Sequence, residues 1–146
     1  MFHLSNNQLE PEAIELEITE GIFLKESDQV RPLIQRLVDQ GFSISLDDFG
    51  TGYSSLSYLQ SLPIHVLKID RTFVSNIASN NADANIVNYI IGLSQNLHLD
   101  IIAEGVETEQ QRDYLFAHGC CKFQGYLFSP PLEESAFIDF LTPRHA

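Results

Sequence analysis

Glu17, Asp47, Asp48 and Glu104 each stand at the downstream end of a strand-like apolar run. Lys68 holds the same place in another run, and Gln124 in a further one. Where parallel strands alternate with helices, the C-terminal ends of the strands gather on one rim, and ligands of such folds bind there. Oxygen donors converging on a rim suit Mg²⁺ or Mn²⁺, and a pair of such ions can activate water against a phosphodiester. These residue types at these places therefore point to metal-dependent phosphodiester chemistry.

The elements that must position them alternate from about residue 13 onward. Ile14, Leu16 and Ile18 alternate with Glu15, Glu17 and Thr19, the period of two of a strand. Ser27 is placed to cap a helix with Val30, Leu33, Ile34, Leu37 and Val38 as its apolar stripe, and Gly41 to end it. Further strands are expected at Phe42–Leu46, His65–Ile69, Leu99–Ala103 and Cys121–Leu127. Helices are expected at Ser54–Ser61, at Asp83–Leu97 (with Ile86, Ile90, Leu93 and Leu97 on one side), from Thr108 to Gly119, and near Ser135–Leu141. Repeated βα units imply a parallel sheet. With the apolar side of each strand packed on helices, Glu17, Asp47, Lys68 and Glu104 face the inside or the rim.

Composition narrows the function classes. Twenty acidic residues against eight basic ones give a formal charge of -12, which argues against a groove for long nucleic acid. A small nucleotide remains compatible, because bound cations reverse the local field. Five histidines in no metal-ligand spacing argue against zinc. The only cysteines, Cys120 and Cys121, are adjacent, which suits packing in a reducing, cytoplasmic compartment. No apolar run approaches the roughly 18 residues of a membrane span. The glycines at 50–52 lack the lysine and serine spacing of a P-loop.

Several of these residues have ordinary structural alternatives. Asp47-Asp48 alone reads equally as a turn or helix cap, Lys68 as a partner of Asp70, and Gln124 as a strand-end cap. Glu107 reads equally as a first-turn helix acid favoured by the dipole. Asp70 and Arg71 are read as structural and left outside the site.

The segments ELEITE (Glu15–Glu20), LDDFGTGYSSLSYL (Leu46–Leu59), LKIDRTFV (Leu67–Val74), AEGVET (Ala103–Thr108) and QGYLFSPPL (Gln124–Leu132) resemble the EAL-domain family. That family comprises bacterial cyclic-di-GMP phosphodiesterases on a TIM-like (β/α)8 barrel. The resemblance implies Glu17, Asp47, Asp48 and Glu104 as ligands of two Mg²⁺ or Mn²⁺ ions, with Asp47 bridging. It implies Lys68 beside the attacking water, and Asp47, Lys68 and Glu107 as the catalytic set. Gln124 would orient substrate, and Glu20 would anchor the loop from Asp48 to Leu56, through which the family couples metal occupancy to homodimer contacts. The implied reaction opens cyclic-di-GMP to linear pGpG by two-metal activation of water.

The family's Glu-Ala-Leu triplet and its asparagine ligand have no counterpart here. The expectation is therefore that residues 1–146 form a C-terminal portion of an EAL domain: about five parallel βα units of the eight in a barrel, with the N-terminal strands absent. Such a chain is expected to bear raw sheet edges and to hydrolyse little by itself. Any membrane tether of the parent protein would lie upstream. The competing readings are a non-catalytic cyclic-di-GMP-binding or dimerisation module, and a barrel enzyme with another substrate.

Overall fold

The computed structural model describes residues 7–21, 27–50, 59–77 and 81–142. A parallel five-stranded sheet in simple order carries the fold: β1 (Glu15–Thr19), β2 (Ser43–Phe49), β3 (Val66–Ile69), β4 (Asp100–Ala103) and β5 (Lys122–Phe123). Between and after the strands run α1 (Ser27–Val38), α2 (Arg71–Asn76), α3 (Asn81–Leu97), α4 (Glu109–Ala117) and α5 (Glu134–Leu141). This is the expected succession of parallel βα units. Most of the helix read at Ser54–Ser61, through residue 58, and most of the glycine loop lie outside the described residues.

Register assigns the faces. Glu17 pairs with Ser45 and Thr19 with Asp47; Ser45 pairs with Val66, and Lys68 with Ile102. Partners across a ladder share a face, so Glu17, Ser45, Asp47 and Lys68 lie on one side of the sheet. The other side carries Ile44, Leu46, Leu67, Ile69, Ile101 and Ala103, all within the buried core. Fully burying such a side chain contributes about 1.5–3 kcal/mol, so this helix-facing layer dominates the stability.

One irregularity shapes the rim. Between Leu46 and Phe49 the β2–β3 register shifts by a residue, and Asp48 sits in the left-handed region at φ 57. A bulge re-aims the side chains beyond it. Phe49 thereby rejoins the buried side, and Asp47 and Asp48 can both serve the strand end.

Four local expectations need correction. In α1, Leu33 is 55% exposed, and Ile34 carries the stripe inward. In α3 Ile90 and Leu93 are buried as expected, joined by Val87, Ile91 and Ser94, while Ile86 turns outward. Val87, Ile90, Ile91 and Ser94 keep the i, i+3, i+4, i+7 spacing, with a serine completing the row. The fifth strand shrinks from Cys121–Leu127 to Lys122–Phe123 because the chain turns at Gly125. A Cβ there would stand 2.2 Å from the Val106 carbonyl oxygen, so only glycine permits this close crossing. Helix α2 was not expected. Asp70 caps it, accepting hydrogen bonds from the Thr72 amide (2.8 Å) and the Thr72 hydroxyl.

The start of α4 follows its sequence signal. Thr108 accepts from the Gln111 amide at 3.2 Å, and the Gln111 side chain accepts from the Thr108 amide at 3.0 Å, a reciprocal cap. Gly119, at φ 101, closes the helix. Cys120 is buried, and desolvation pushes its thiol up to about 11, so it stays protonated and packs; Cys121 is exposed. Among the described residues, no helix is long and apolar enough to cross a membrane.

Candidate functional site

Lys68 is the centre of the strand-end cluster. It ends β3 on the polar face, and its side chain is only 3% exposed. Its Nζ donates to Glu17 Oε1 at 2.6 Å, lies 2.6 Å from Glu104 Oε1, and lies 3.8 Å from Asp47 Oδ1. Carboxylates from β1, β2 and the residue after β4 thus meet on one ammonium. The alternative pairing of Lys68 with Asp70 does not form; Asp70 is engaged in capping α2.

The electrostatics follow from one cation shared among several anions. Burial by itself disfavours the charged lysine, but hydrogen bonds to Glu104 and Glu17 and the charges of Glu104 and Asp47 more than offset it. Lys68 is held above the ordinary lysine range. Glu104 is raised, first by burial; the nearby Asp47 and Glu17 charges add to this, and Lys68 compensates only in part. Asp48 is raised as well, by burial, then by Asp47 and Asp70. The cluster therefore carries surplus negative charge that Lys68 alone does not balance.

Glu20 is buried at 3% exposure and accepts a hydrogen bond from the Gly50 amide at 3.2 Å. It thus holds the backbone directly after β2, the first part of the loop it was expected to anchor. The rest of that loop, at 51–56, lies outside the described residues.

Beyond the cluster opens a cleft of about 520 Å³. Its polar lining includes Glu104, Glu107, Gln124 and Arg71, and its apolar lining Tyr126, Pro130–Leu132 and the α5 residues Phe137 and Phe140. Glu104 belongs to both cluster and cleft. Glu107 precedes the Thr108 cap and lies outside the first turn of α4, which removes its reading as a helix-dipole acid. Gln124 follows β5, its amide donating to the Ala103 carbonyl and its carbonyl accepting from the Val106 amide.

The site residues read from the sequence thus divide into the Glu17–Asp47–Lys68–Glu104 cluster, the Glu107–Gln124 cleft rim, and Asp48 and Glu20 flanking the bulge. Arg71, read as structural, lines the cleft instead. Its signal was its place directly behind Lys68-Ile69-Asp70, on the rim where the other strand-end residues gather.

The donor set fits a hard divalent cation. Its groups are carboxylate oxygens, more anionic than the single lysine they surround. Among the described residues no three His, Cys, Asp or Glu side chains already stand around a shared ion position, because the carboxylates point to Lys68.

Comparison with known proteins gives this geometry a family. The EAL domain family model matches residues 2–131. Cyclic di-GMP phosphodiesterase NbdA of Pseudomonas aeruginosa is 49% identical over 128 residues, covering 88% of this chain and 16% of the relative. The bifunctional diguanylate cyclase/cyclic di-GMP phosphodiesterase MucR of the same organism is 45% identical, covering 88% of this chain and 19% of the relative. The chain thus spans less than a fifth of these curated relatives. Among solved structures, the PaMucR phosphodiesterase in complex with c-di-GMP superimposes with a TM-score of 0.88 at 43% identity, over 92% of this chain and 54% of that one. The Klebsiella pneumoniae BlrP1 manganese/cy-diGMP complex at pH 6 gives a TM-score of 0.81 at 34% identity, over 88% and 33%. Rim carboxylates, central lysine, sheet order and family match agree: the chain belongs to the EAL-domain family.

Proposed function

We propose that this chain forms the C-terminal part of a cyclic-di-GMP phosphodiesterase domain that opens the cyclic dinucleotide to linear pGpG. The observation that carries this reading is Lys68 gathered with Glu17, Asp47 and Glu104, the last of which also lines a cleft of about 520 Å³. The phosphodiesterase names of the relatives and the cyclic-di-GMP complexes of the structural neighbours support it.

Glu17, Asp47, Asp48 and Glu104 would hold two Mg²⁺ or Mn²⁺ ions, which when bound supply Lewis-acid activation of water. The chain's own contribution is positioning and fixed charge. Lys68, kept protonated by its carboxylate neighbours, cannot act as a general base near neutrality; it is a fixed cation facing the phosphoryl oxygens. Glu107 and Gln124 orient substrate and water from the cleft rim. Glu20, through Gly50, fixes the start of the loop proposed to contact a second copy of the domain. The site of action is the bacterial cytoplasm.

The test is hydrolysis by a complete domain, made by joining this chain to the preceding part of a matched EAL domain. With Mn²⁺ it releases pGpG, and Asp47→Ala abolishes the release. The isolated 146-residue chain releases little. Robust cleavage by that chain, or near-normal cleavage by Asp47→Ala, contradicts the proposal. A second reading, nucleotide binding without turnover, draws on the absence of a ready three-ligand ion position among the described residues. It is met if the complete domain binds cyclic-di-GMP and leaves it intact.

A further inference from the structure

Arg71 stands apart from the other charged groups of the site. It opens α2 immediately after the Asp70 cap and lines the cleft with Glu104, Glu107 and Gln124. Among the described residues it forms no ion pair, although acidic side chains line the same cleft. Its base is nevertheless fixed. Gly105, at φ 66, approaches so closely that a Cβ there would stand 2.5 Å from the Arg71 Cβ. The capped helix turn and this glycine contact hold the stem, leaving the guanidinium for whatever enters the cleft.

Two features identify the part of the ligand that Arg71 meets. The phosphate-binding chemistry is concentrated at the Lys68 cluster, where the carboxylates and the lysine meet. The cleft shares Glu104 with that cluster and is otherwise lined in large part by Tyr126, Pro130, Pro131, Leu132, Phe137 and Phe140, which suits a flat base rather than a solvated phosphate. A guanidinium presents a rigid fork of N–H donors. Guanine offers a matching pair of acceptors at O6 and N7, whereas adenine replaces O6 with an amino donor.

We infer that Arg71 donates its guanidinium fork to the O6/N7 edge of a guanine in this cleft and so selects guanine over adenine dinucleotides. The inference rests on the function proposed above and assigns Arg71 a specificity-determining role. Arg71 is exposed and follows the cap rather than forming it, so its replacement leaves the Asp70–Thr72 contacts in place.

Calorimetric titration of the full chain with cyclic-di-GMP and with cyclic-di-AMP, in Ca²⁺ buffer, tests it. The unaltered chain favours the guanine dinucleotide. Arg71→Ala reduces that preference by roughly ten- to a hundredfold, the range of one good bidentate base contact, with cyclic-di-AMP affinity little changed. Arg71→Lys, which keeps the charge and lacks the fork, does not restore it. An unchanged thermal midpoint for both variants shows that the fold persists. Equal weakening of both dinucleotides by Arg71→Ala makes the contact a phosphate contact and overturns the inference; so does an unchanged preference. Binding of neither dinucleotide by the unaltered chain overturns the base contact; the functional reading falls only if the complete domain also binds neither.

Discussion

The two ends of the candidate site are built in opposite ways. At the strand-end cluster, Lys68 is 3% exposed and its partners come from β1, β2 and the residue after β4, so folding of the sheet assembles it. At the far cleft wall, α5 contains no buried residue, and Phe137, Ile138, Phe140 and Leu141 are all at least half exposed. One end is fixed by packing before any ligand arrives; the other presents apolar surface that a ligand or further protein can cover. Charge geometry is therefore inseparable from stability at the cluster, whereas recognition at the wall can vary at little cost to the fold.

Substitutions at the two ends test this contrast. Asp47→Ala in a complete domain lowers cyclic-di-GMP turnover on the order of 10³-fold or more, measured by pGpG release. Lys68→Met leaves partly buried carboxylates facing one another and destabilises the chain by about 3–5 kcal/mol in denaturant unfolding. Glu17→Gln, at the half-exposed edge of the same cluster, costs at most about 1 kcal/mol. If the two substitutions cost the same, the cluster is not the organised core described here. Leu67→Ala, on the buried side of β3, costs about 2–5 kcal/mol. Phe137→Ala on the cleft wall changes stability by less than about 0.5 kcal/mol. An equal loss for Leu67→Ala and Phe137→Ala would erase the distinction between packed sheet and open wall.

The smallest effect is in pH. Glu104 and Asp48 titrate above the ordinary carboxylate range when folded, so the folded chain binds their protons more tightly than the unfolded chain. Their contribution to stability is fully present below the unfolded carboxylate pKa and is lost as pH rises through the raised folded values. Unfolding midpoints should therefore fall as pH rises from the ordinary carboxylate range towards neutrality. The Glu104→Gln/Asp48→Asn double variant should flatten that slope, with the background from the overall charge of -12 unchanged in direction.

Sequence legibility followed the same division. The alternation in β1 and the polar residues closing β2, β3 and β4 placed the cluster correctly, because strand period alone decides which side a residue takes. The Thr108 and Gly119 signals located α4 for an equally local reason. What escaped was set by contacts between distant segments. Gly125 against Val106 ends β5 early, and Asp70 turns from a possible lysine partner into the cap of α2. The burial of Val87 in place of Ile86 depends on which edge of the helix face the sheet accepts, and periodicity cannot distinguish the two. The place of Arg71 on the cleft escaped because that cleft assembles from segments distant in sequence.

The adjacent cysteines offer a practical handle. With Cys120 inside and protonated and Cys121 outside, a thiol-reactive dye at neutral pH has one landing place in this chain, just before Lys122. A fluorophore there would sit just ahead of the strand that leads into Gln124, without a single engineered residue. Its emission could then report when the cleft fills.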